Sequence, residues 1–398
     1  MGAAIAFYCG RLFVPPSMGK PAQAGDSSTT ATGTSTSVGR WGTLKAESLP
    51  LADGKLVFTD RSLRLQPVRW LFKDYTEAPL LEFLRGCELS SDQAKALLDT
   101  KQWKTEAEGI VIVPPDWLVM GLSPASREKI YWTLAASATN YPQFKPFNFP
   151  PGSFDERFAG SGLPGEKIAL IRNLLYPGFG YNWLALDKPL LEAFAPAELE
   201  KVVRVLYNTP AWLVRLEVQP GENVEPLVQY WGEGRQNRLR PLFESLAKGP
   251  GPRVIGLTAL LPGFAQDRLN TFPDAGPDAS HEDCFYSSMN FFNEAPDSHF
   301  SDPAYTRKIL DTDYSVIPPP ANFGDIILVI NSEGRAVHAC VYVADEFVFT
   351  KNGGSLERPW VVMKMSDVLA CFPSEKGRHL QFWRRKDLAV GMHGIARK

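Results

Sequence analysis

The sequence predicts an α+β protein, in which a mainly helical amino-terminal domain precedes a carboxy-terminal domain with an antiparallel sheet. Two observations lead to this prediction. The chain has 398 residues, more than a single core usually accommodates. Its apolar residues follow a mostly helical period before Gly249-Pro250-Gly251-Pro252 and alternate along short runs after it. One helix followed by several antiparallel strands is typical of the α+β class.

The expected domain organisation has three parts. Residues 1–40 comprise a short apolar run and a flexible tether rich in Ser, Thr and Gly, because such a segment cannot bury enough apolar surface to offset its ordering entropy. Residues 41–251 form a mainly helical accessory domain, and residues 252–398 form the domain with the sheet. The five strands expected there are residues 325–330, 337–343, 346–351, 361–365 and 380–384.

The apolar run from Ala3 to Cys9 is too short to cross a membrane, and no basic residue precedes it as a signal peptide requires. It could be the end of an anchor or signal that starts upstream. A membrane tether at the amino terminus, export to the periplasm or cell surface, and a cytoplasmic location therefore all stay open. The sequence does not indicate an oligomeric state.

Composition argues against several classes of function. The chain has 42 basic and 44 acidic residues, so no surplus of positive charge is available for nucleic-acid phosphates. Its five cysteines are widely spaced and include no C-x-x-C pair, and its five histidines include no H-x-x-x-H pattern. We therefore predict no nucleic-acid partner, no metal site and no cofactor.

Cys284 is the candidate nucleophile. A helix is expected over residues 281–293 with Ser280 as its N-cap, which places Cys284 in the first or second turn. The positive end of the helix dipole favours a thiolate there. The negative charges of Glu282 and Asp283 oppose this effect, so a separate base is needed.

His338 is the candidate base. It interrupts an apolar strand in which alternation places His338, Cys340 and Tyr342 on one face. A strand that faces a helix terminus can hold an imidazole within hydrogen-bond reach of a thiol. Taken singly, a helical cysteine is usually a buried apolar residue and a strand histidine is usually structural. Their occurrence together, in this order, favours catalysis.

Three motifs resemble the NlpC/P60 superfamily of papain-like cysteine peptidases and amidases. Asp283-Cys284 opens an aromatic-rich helix, Gly324-Asp325 opens a strand, and the strand from His338 to Val343 follows 13 residues after Asp325. The resemblance covers roughly residues 255–398 only. It implies a papain-like fold and hydrolysis of an amide bond, often in peptidoglycan stem peptides, without a metal or cofactor.

The sequence departs from that family at two places. The Ser-Gly that commonly follows Asp-Cys is Phe285-Tyr286 here, which suggests a divergent substrate cleft. The third polar residue, which orients the histidine, is not obvious. A two-residue turn at Ala344-Asp345 would place Lys351 opposite His338. A longer turn would bring Asn352 or Thr350 there, and Asn352 is the preferred candidate.

These inferences predict a cysteine hydrolase that cleaves a peptide or amide bond through a thioester. Cys284 attacks, His338 transfers the proton, Asn352 orients the ring, and the backbone amide of Cys284 contributes to the oxyanion site. Two alternatives stay open. One is a non-catalytic binding module of the same fold, which Phe285-Tyr286 favours. The other is an acyltransferase that passes the same thioester to an alcohol or amine.

Overall fold

The computed structural model describes residues 34–52, 67–274, 282–374 and 377–387. They form two compact units. The larger unit contains residues 34–52 and the described residues from 208 onward, and the smaller unit contains residues 67–207. The expectations for the apolar run, for most of the tether, and for Ser280 and His281 lie outside the described residues. Both units combine helices with antiparallel strands, which is the α+β class.

The larger unit begins with a hairpin of two strands, β1 (Thr34–Gly39) and β2 (Gly42–Ser48). Residues 34–39 were expected to belong to the tether. Their alternating Thr and Ser side chains instead suit a polar edge strand, because every residue from Thr34 to Gly39 pairs with β2.

The smaller unit takes most of its regular structure from helices. Its strands form two three-stranded antiparallel sheets, in the orders β3-β5-β4 and β6-β8-β7. The elements in chain order are β3 (Trp70–Lys73), α1 (Glu77–Arg85), α2 (Ser91–Leu97), β4 (Lys104–Glu106), β5 (Gly109–Ile112), α3 (Asp116–Gly121), α4 (Pro124–Leu134), α5 (Tyr141–Phe144), β6 (Phe147–Phe149), α6 (Ser153–Phe158), α7 (Gly165–Asn173), β7 (Tyr176–Gly178), β8 (Tyr181–Leu184), α8 (Lys188–Glu192) and α9 (Pro196–Tyr207).

The rest of the larger unit follows from residue 208. Its elements are β9 (Trp212–Val218), α10 (Glu225–Gly232), α11 (Gln236–Ala247), β10 (Arg253–Gly256), α12 (Gly263–Arg268), α13 (Cys284–Met289), α14 (Pro303–Asp313), β11 (Tyr314–Ile317), β12 (Ile326–Asn331), β13 (Ala336–Ala344), β14 (Phe347–Lys351), β15 (Trp360–Lys364), α15 (Met365–Cys371) and β16 (Arg378–Arg385). The strands form two antiparallel sheets, in the orders β1-β2-β9-β10 and β11-β16-β12-β13-β14-β15.

The units divide the chain differently from the expected boundary at residue 251. Residues 208–251 belong to the larger unit, because β9 pairs with β2 from Trp212, opposite Ser48, to Glu217, opposite Thr43. Helices α10 and α11 then contribute Trp231 and Phe243 to the same apolar core as the six-stranded sheet. The run of Gly and Pro residues at 249–252 is only the connection between α11 and β10.

The six-stranded sheet contains all five strands that the sequence predicts, each within two residues of its expected ends. Apolar residues cover both of its faces, which form separate clusters. The first face carries Ala339, Val341 and Phe349 and packs in one core with α13. The second face carries Cys340 and Val348 and packs in another core with Val368 of α15 and neighbouring residues. No helix in the described part of the chain is long and apolar enough to cross a membrane.

Candidate active site around Cys284

Cys284 is the first residue of α13, as the sequence predicts for a residue near the helix start. The helix begins later than expected, because the carboxylate of Asp283 caps it, and it ends at Met289 rather than at residue 293. One oxygen of Asp283 accepts hydrogen bonds from the backbone N–H groups of Phe285 and Tyr286, each at 2.9 Å. These two backbone N–H groups therefore already have the N-cap carboxylate as their acceptor. The Cys284 side chain is only 6% exposed and belongs to the core on the first face of the sheet.

His338 lies on the second face of the sheet. Its imidazole is fully buried and stacks on the ring of Phe372, with centroids 4.3 Å apart. Its Nε2 lies 2.9 Å from the hydroxyl of Thr350. The predicted alternation of β13 is confirmed, because Cys340 packs in the core of the second face while Ala339 and Val341 pack in the core of the first.

The structure therefore does not bring His338 to Cys284. The expectation required α13 to pack on the face that carries His338, and α13 packs on the opposite one. The physical reason is apolar burial. The side chains of β13 that face α13 are Ala339, Val341 and Val343, which bury more favourably against its aromatic residues than an imidazole would.

The three candidates for the residue that orients the His338 ring do not all lie on the same face of the sheet. Thr350, rather than Asn352, contacts the imidazole directly. The Thr350 hydroxyl donates in turn to Oδ1 of Asn352 at 3.3 Å, so Asn352 acts on His338 only through Thr350. The turn lies at Asp345-Glu346, and an irregularity between Tyr342 and Ala344 resets the pairing.

Lys351 lies on the first face, with Cys284. In the pairing of β14 with β15 it stands opposite Trp360, which belongs to the core of that face. The Lys351 side chain is fully buried, and its Nζ donates to the carbonyl oxygens of Gly353 at 2.7 Å and Ser355 at 3.1 Å. Burial lowers the pKa of Lys351 to about 8, and the negative charges of Asp283 and a Cys284 thiolate partly oppose that shift.

Trp360 contacts α13, Lys351 and Arg268. Its indole N–H donates to the Ser287 hydroxyl of α13 at 2.7 Å, and the Lys351 Nζ lies 5.5 Å from the ring centroid. The guanidinium of Arg268 lies 4.8 Å from the same ring and forms an ion pair with Glu282 at 3.1 Å. Glu282 is two residues before Cys284, so this ion pair borders the site.

A cavity of about 400 Å³ lies beside this ion pair. Arg268 and Phe264 contribute to its wall, and Phe264 also contacts the ring of Tyr286 edge-on, with centroids 5.9 Å apart. Through Phe264, one wall of the cavity contacts α13. Its other lining residues include Asp267, Thr271, Phe272 and Glu294. Within the described ranges, no cluster of three or more His, Cys, Asp or Glu side chains has a metal-binding arrangement.

The buried His338 predicts a pH-dependent loss of stability. Burial lowers the pKa of His338 to about 3, whereas an unfolded histidine has a pKa of about 6.5. The unfolded state thus binds the proton first, and stability falls as the pH decreases from about 6.5 towards 3. At pH 5 this contribution is about 2 kcal/mol. Urea unfolding at pH 8 and pH 5 measures it.

The His338→Gln variant is the matched test of that contribution. It should lose less stability between pH 8 and pH 5 than the parent protein, because glutamine does not titrate. His379→Gln serves as the control, since the same substitution is made there at an exposed position of β16. Equal pH dependence in the His338→Gln variant and the parent would contradict the assignment of a neutral, buried imidazole.

Sequence reasoning weighed Lys351 only as a neighbour of His338 and missed its position on the face that carries Cys284. The signal was present, because Lys351 directly follows the predominantly apolar run Phe347-Val348-Phe349-Thr350 within one predicted strand. Trp360 was missed as well, since nothing local distinguishes it from an ordinary core residue. Comparison of the chain with protein-family models, with curated proteins and with solved structures gave no match.

Proposed function

We propose that the larger unit is a cysteine-dependent amide hydrolase, a divergent relative of the NlpC/P60 superfamily with a papain-like arrangement. Cys284 is its nucleophile, and Lys351 takes the place that sequence reasoning gave to His338. The observation that carries the proposal is the burial of a lysine on the face of the sheet that also carries Cys284, at the start of a helix. A helix with a cysteine in its first turn, packed on an antiparallel sheet, supports the likeness in fold.

Lys351 suits the role of proton carrier because of its environment. An ordinary lysine is charged at neutral pH and cannot accept a proton. Burial lowers the pKa of Lys351 to about 8, so a useful fraction of the amine is neutral near that pH. Two of the three protons of the charged form are held by the carbonyls of Gly353 and Ser355. The third proton position is the one that exchanges with the Cys284 thiol.

The reaction proceeds in two steps. The neutral Lys351 amine takes the thiol proton, and the Cys284 sulfur attacks the carbonyl carbon of the substrate amide. As the tetrahedral intermediate collapses, the C–N bond breaks, and the Lys351 ammonium protonates the departing amine. Water then attacks the thioester, the amine again accepts a proton, and the thiol and a carboxylic acid are released. The backbone amide of Cys284 contributes to the oxyanion site, since those of Phe285 and Tyr286 serve Asp283.

The substrate class we propose is a peptide or a peptidoglycan-like stem peptide. The cavity beside Arg268 and Phe264 receives part of the substrate next to the scissile bond. If an alcohol or amine replaces water in the second step, the same thioester supports acyl transfer. The geometry of Cys284 and Lys351 serves both kinds of acceptor, and mass spectrometry of the product distinguishes a free carboxylic acid from an ester or a new amide.

A second candidate function is a non-catalytic binding module that retains the fold. The specific observation in its favour is the 6% exposure of Cys284, which leaves little of the side chain open to a substrate. The placement of His338 on the second face favours it as well. In that case Lys351 neutralises the negative charges around the start of α13 and holds the loop after β14.

Digestion of purified peptidoglycan, read by mass spectrometry, tests the proposal. We expect new amine and carboxyl termini with the parent protein and none with Cys284→Ala. Cys87→Ala is the matched control, because Cys87 is a buried thiol of the smaller unit whose pKa burial raises to about 11. Its activity should equal that of the parent. Equal digestion by the Cys284→Ala variant would refute the proposal, and binding without cleavage by the parent would favour the binding module.

A further inference from the structure

Trp360 makes separate contacts with both partners of the proposed pair. Its indole N–H donates to Ser287, which is one helical turn after Cys284 on α13. Its ring lies 5.5 Å from the Nζ of Lys351, the residue directly opposite on the neighbouring strand. The Ser287 hydroxyl donates to the Asp283 carbonyl at 2.6 Å, so it accepts from Trp360 and its orientation is determined.

Trp360 is itself held firmly. The side chain is fully buried, and its backbone exchanges two hydrogen bonds with the segment after α12. The N–H of Asn270 donates to the Trp360 carbonyl at 2.8 Å, and the Trp360 N–H donates to the Thr271 carbonyl at 3.0 Å. The indole therefore has little freedom to move relative to the sheet.

We infer that Trp360 is the positioning residue of the Cys284–Lys351 pair, an inference that rests on the proposed function. The indole N–H sets the position of the helix turn that carries the sulfur, and the aromatic face sets the position of the amine. The negative face of the ring also stabilises the ammonium form of Lys351. This offsets part of the effect of burial and keeps a cation near the sulfur at neutral pH.

Three variants separate the two contacts. Trp360→Phe keeps an aromatic face and removes the indole N–H, Trp360→Leu removes both, and Ser287→Ala removes only the acceptor. The first readout is the pH midpoint of Cys284 alkylation by iodoacetamide, measured by mass spectrometry. The second is the pKa of Lys351, measured from the chemical shift of its Cε carbon in the full chain. Circular dichroism verifies the fold of each variant.

We expect Trp360→Leu to lower the pKa of Lys351 by about 0.5 to 1 unit and to raise the alkylation midpoint by a similar amount. Trp360→Phe should restore most of the Lys351 pKa. Ser287→Ala should raise the alkylation midpoint and leave the Lys351 pKa nearly unchanged. In the Lys351→Met background, Trp360→Leu should raise the alkylation midpoint no more than Ser287→Ala does, because only the hydrogen bond to Ser287 is then left to lose.

The inference is overturned if Trp360→Leu leaves the Lys351 pKa unchanged, or if its effect on alkylation is the same with and without Lys351. A purely structural role would give that second, additive result. A failure of the proposed function would give a different experimental result from a failure of this inference. If Cys284 of the parent resists alkylation at every pH, the catalytic proposal falls, while the Lys351 titration still decides whether Trp360 holds the amine.

Discussion

Replacing Lys351 with methionine is expected to slow the alkylation of Cys284 by iodoacetamide roughly tenfold at pH 7.5. The thiolate is the reactive form, and a cation nearby favours it. Loss of that cation raises the pKa of the Cys284 thiol, and one unit of change lowers the thiolate fraction about tenfold. Methionine nearly matches lysine in length, so the apolar packing around β14 is retained.

Two controls accompany this measurement. Lys364→Met makes the same chemical change on the adjacent strand, where the lysine pairs with Glu346 and lies over Trp212, and should leave alkylation of Cys284 unchanged. His338→Gln should leave it unchanged as well, because His338 lies on the second face of the sheet. An effect of His338→Gln as large as that of Lys351→Met would restore the histidine to the site and refute the role given to Lys351.

Replacing Arg384 with methionine is expected to lower the free energy of unfolding of the larger unit by about 3 to 5 kcal/mol. Asp325 is only 3% exposed and binds Arg384 through both oxygens, with Nε at 2.8 Å and Nη2 at 2.6 Å. Without the arginine, the carboxylate keeps one backbone hydrogen bond, from Asn322, but loses its counter-charge. A buried charge without a partner is costly.

Arg385→Met is the matched control, one residue along the same strand. Arg385 pairs with Asp387, and the two side chains are 32% and 60% exposed, so this loss should be within about 1 kcal/mol. Urea unfolding followed by tryptophan fluorescence measures both variants. The double variant Asp325→Asn, Arg384→Met should recover much of the stability, because a neutral amide is cheaper to bury. Equal losses in Arg384→Met and Arg385→Met would contradict the assignment.

The Gly324-Asp325 motif shows how a sequence resemblance and its physical cause can differ. The motif was expected to open a strand, and β12 begins at the next residue. The glycine is required because φ is +87° and a Cβ atom would lie 2.3 Å from the ring of Phe292. The aspartate anchors β16 through Arg384. Neither reason was readable from the motif itself.

Several features of the larger unit were predictable from local pattern. Strands β12 to β16 followed from alternation and turn residues, and the position of Cys284 followed from the capping pattern, although Asp283 rather than Ser280 supplies the observed cap. The shared face of His338 and Cys340 followed from the period of a strand. These features depend on residues close together in the chain, which is why one sequence was enough.

The residue beside the imidazole was harder to predict, because it depends on the hairpin register. The turn at Asp345-Glu346 and the irregularity after Tyr342 decide which residue of β14 faces His338. A change of one position exchanges the two faces for every side chain of a strand. Thr350 and Lys351 are therefore neighbours in sequence and lie on opposite faces of the sheet.

By itself, then, the sequence determined that strands β12 to β16 form and that Cys284 lies near the start of a helix. Only the tertiary structure decided that α13 covers the first face, that residues 208–251 join the larger unit, and that Lys351 rather than His338 lies on the face that carries Cys284. The physical reason is that local periodicity assigns side chains to two faces without saying which partner covers each. That choice follows from apolar burial summed over contacts between residues far apart in the chain.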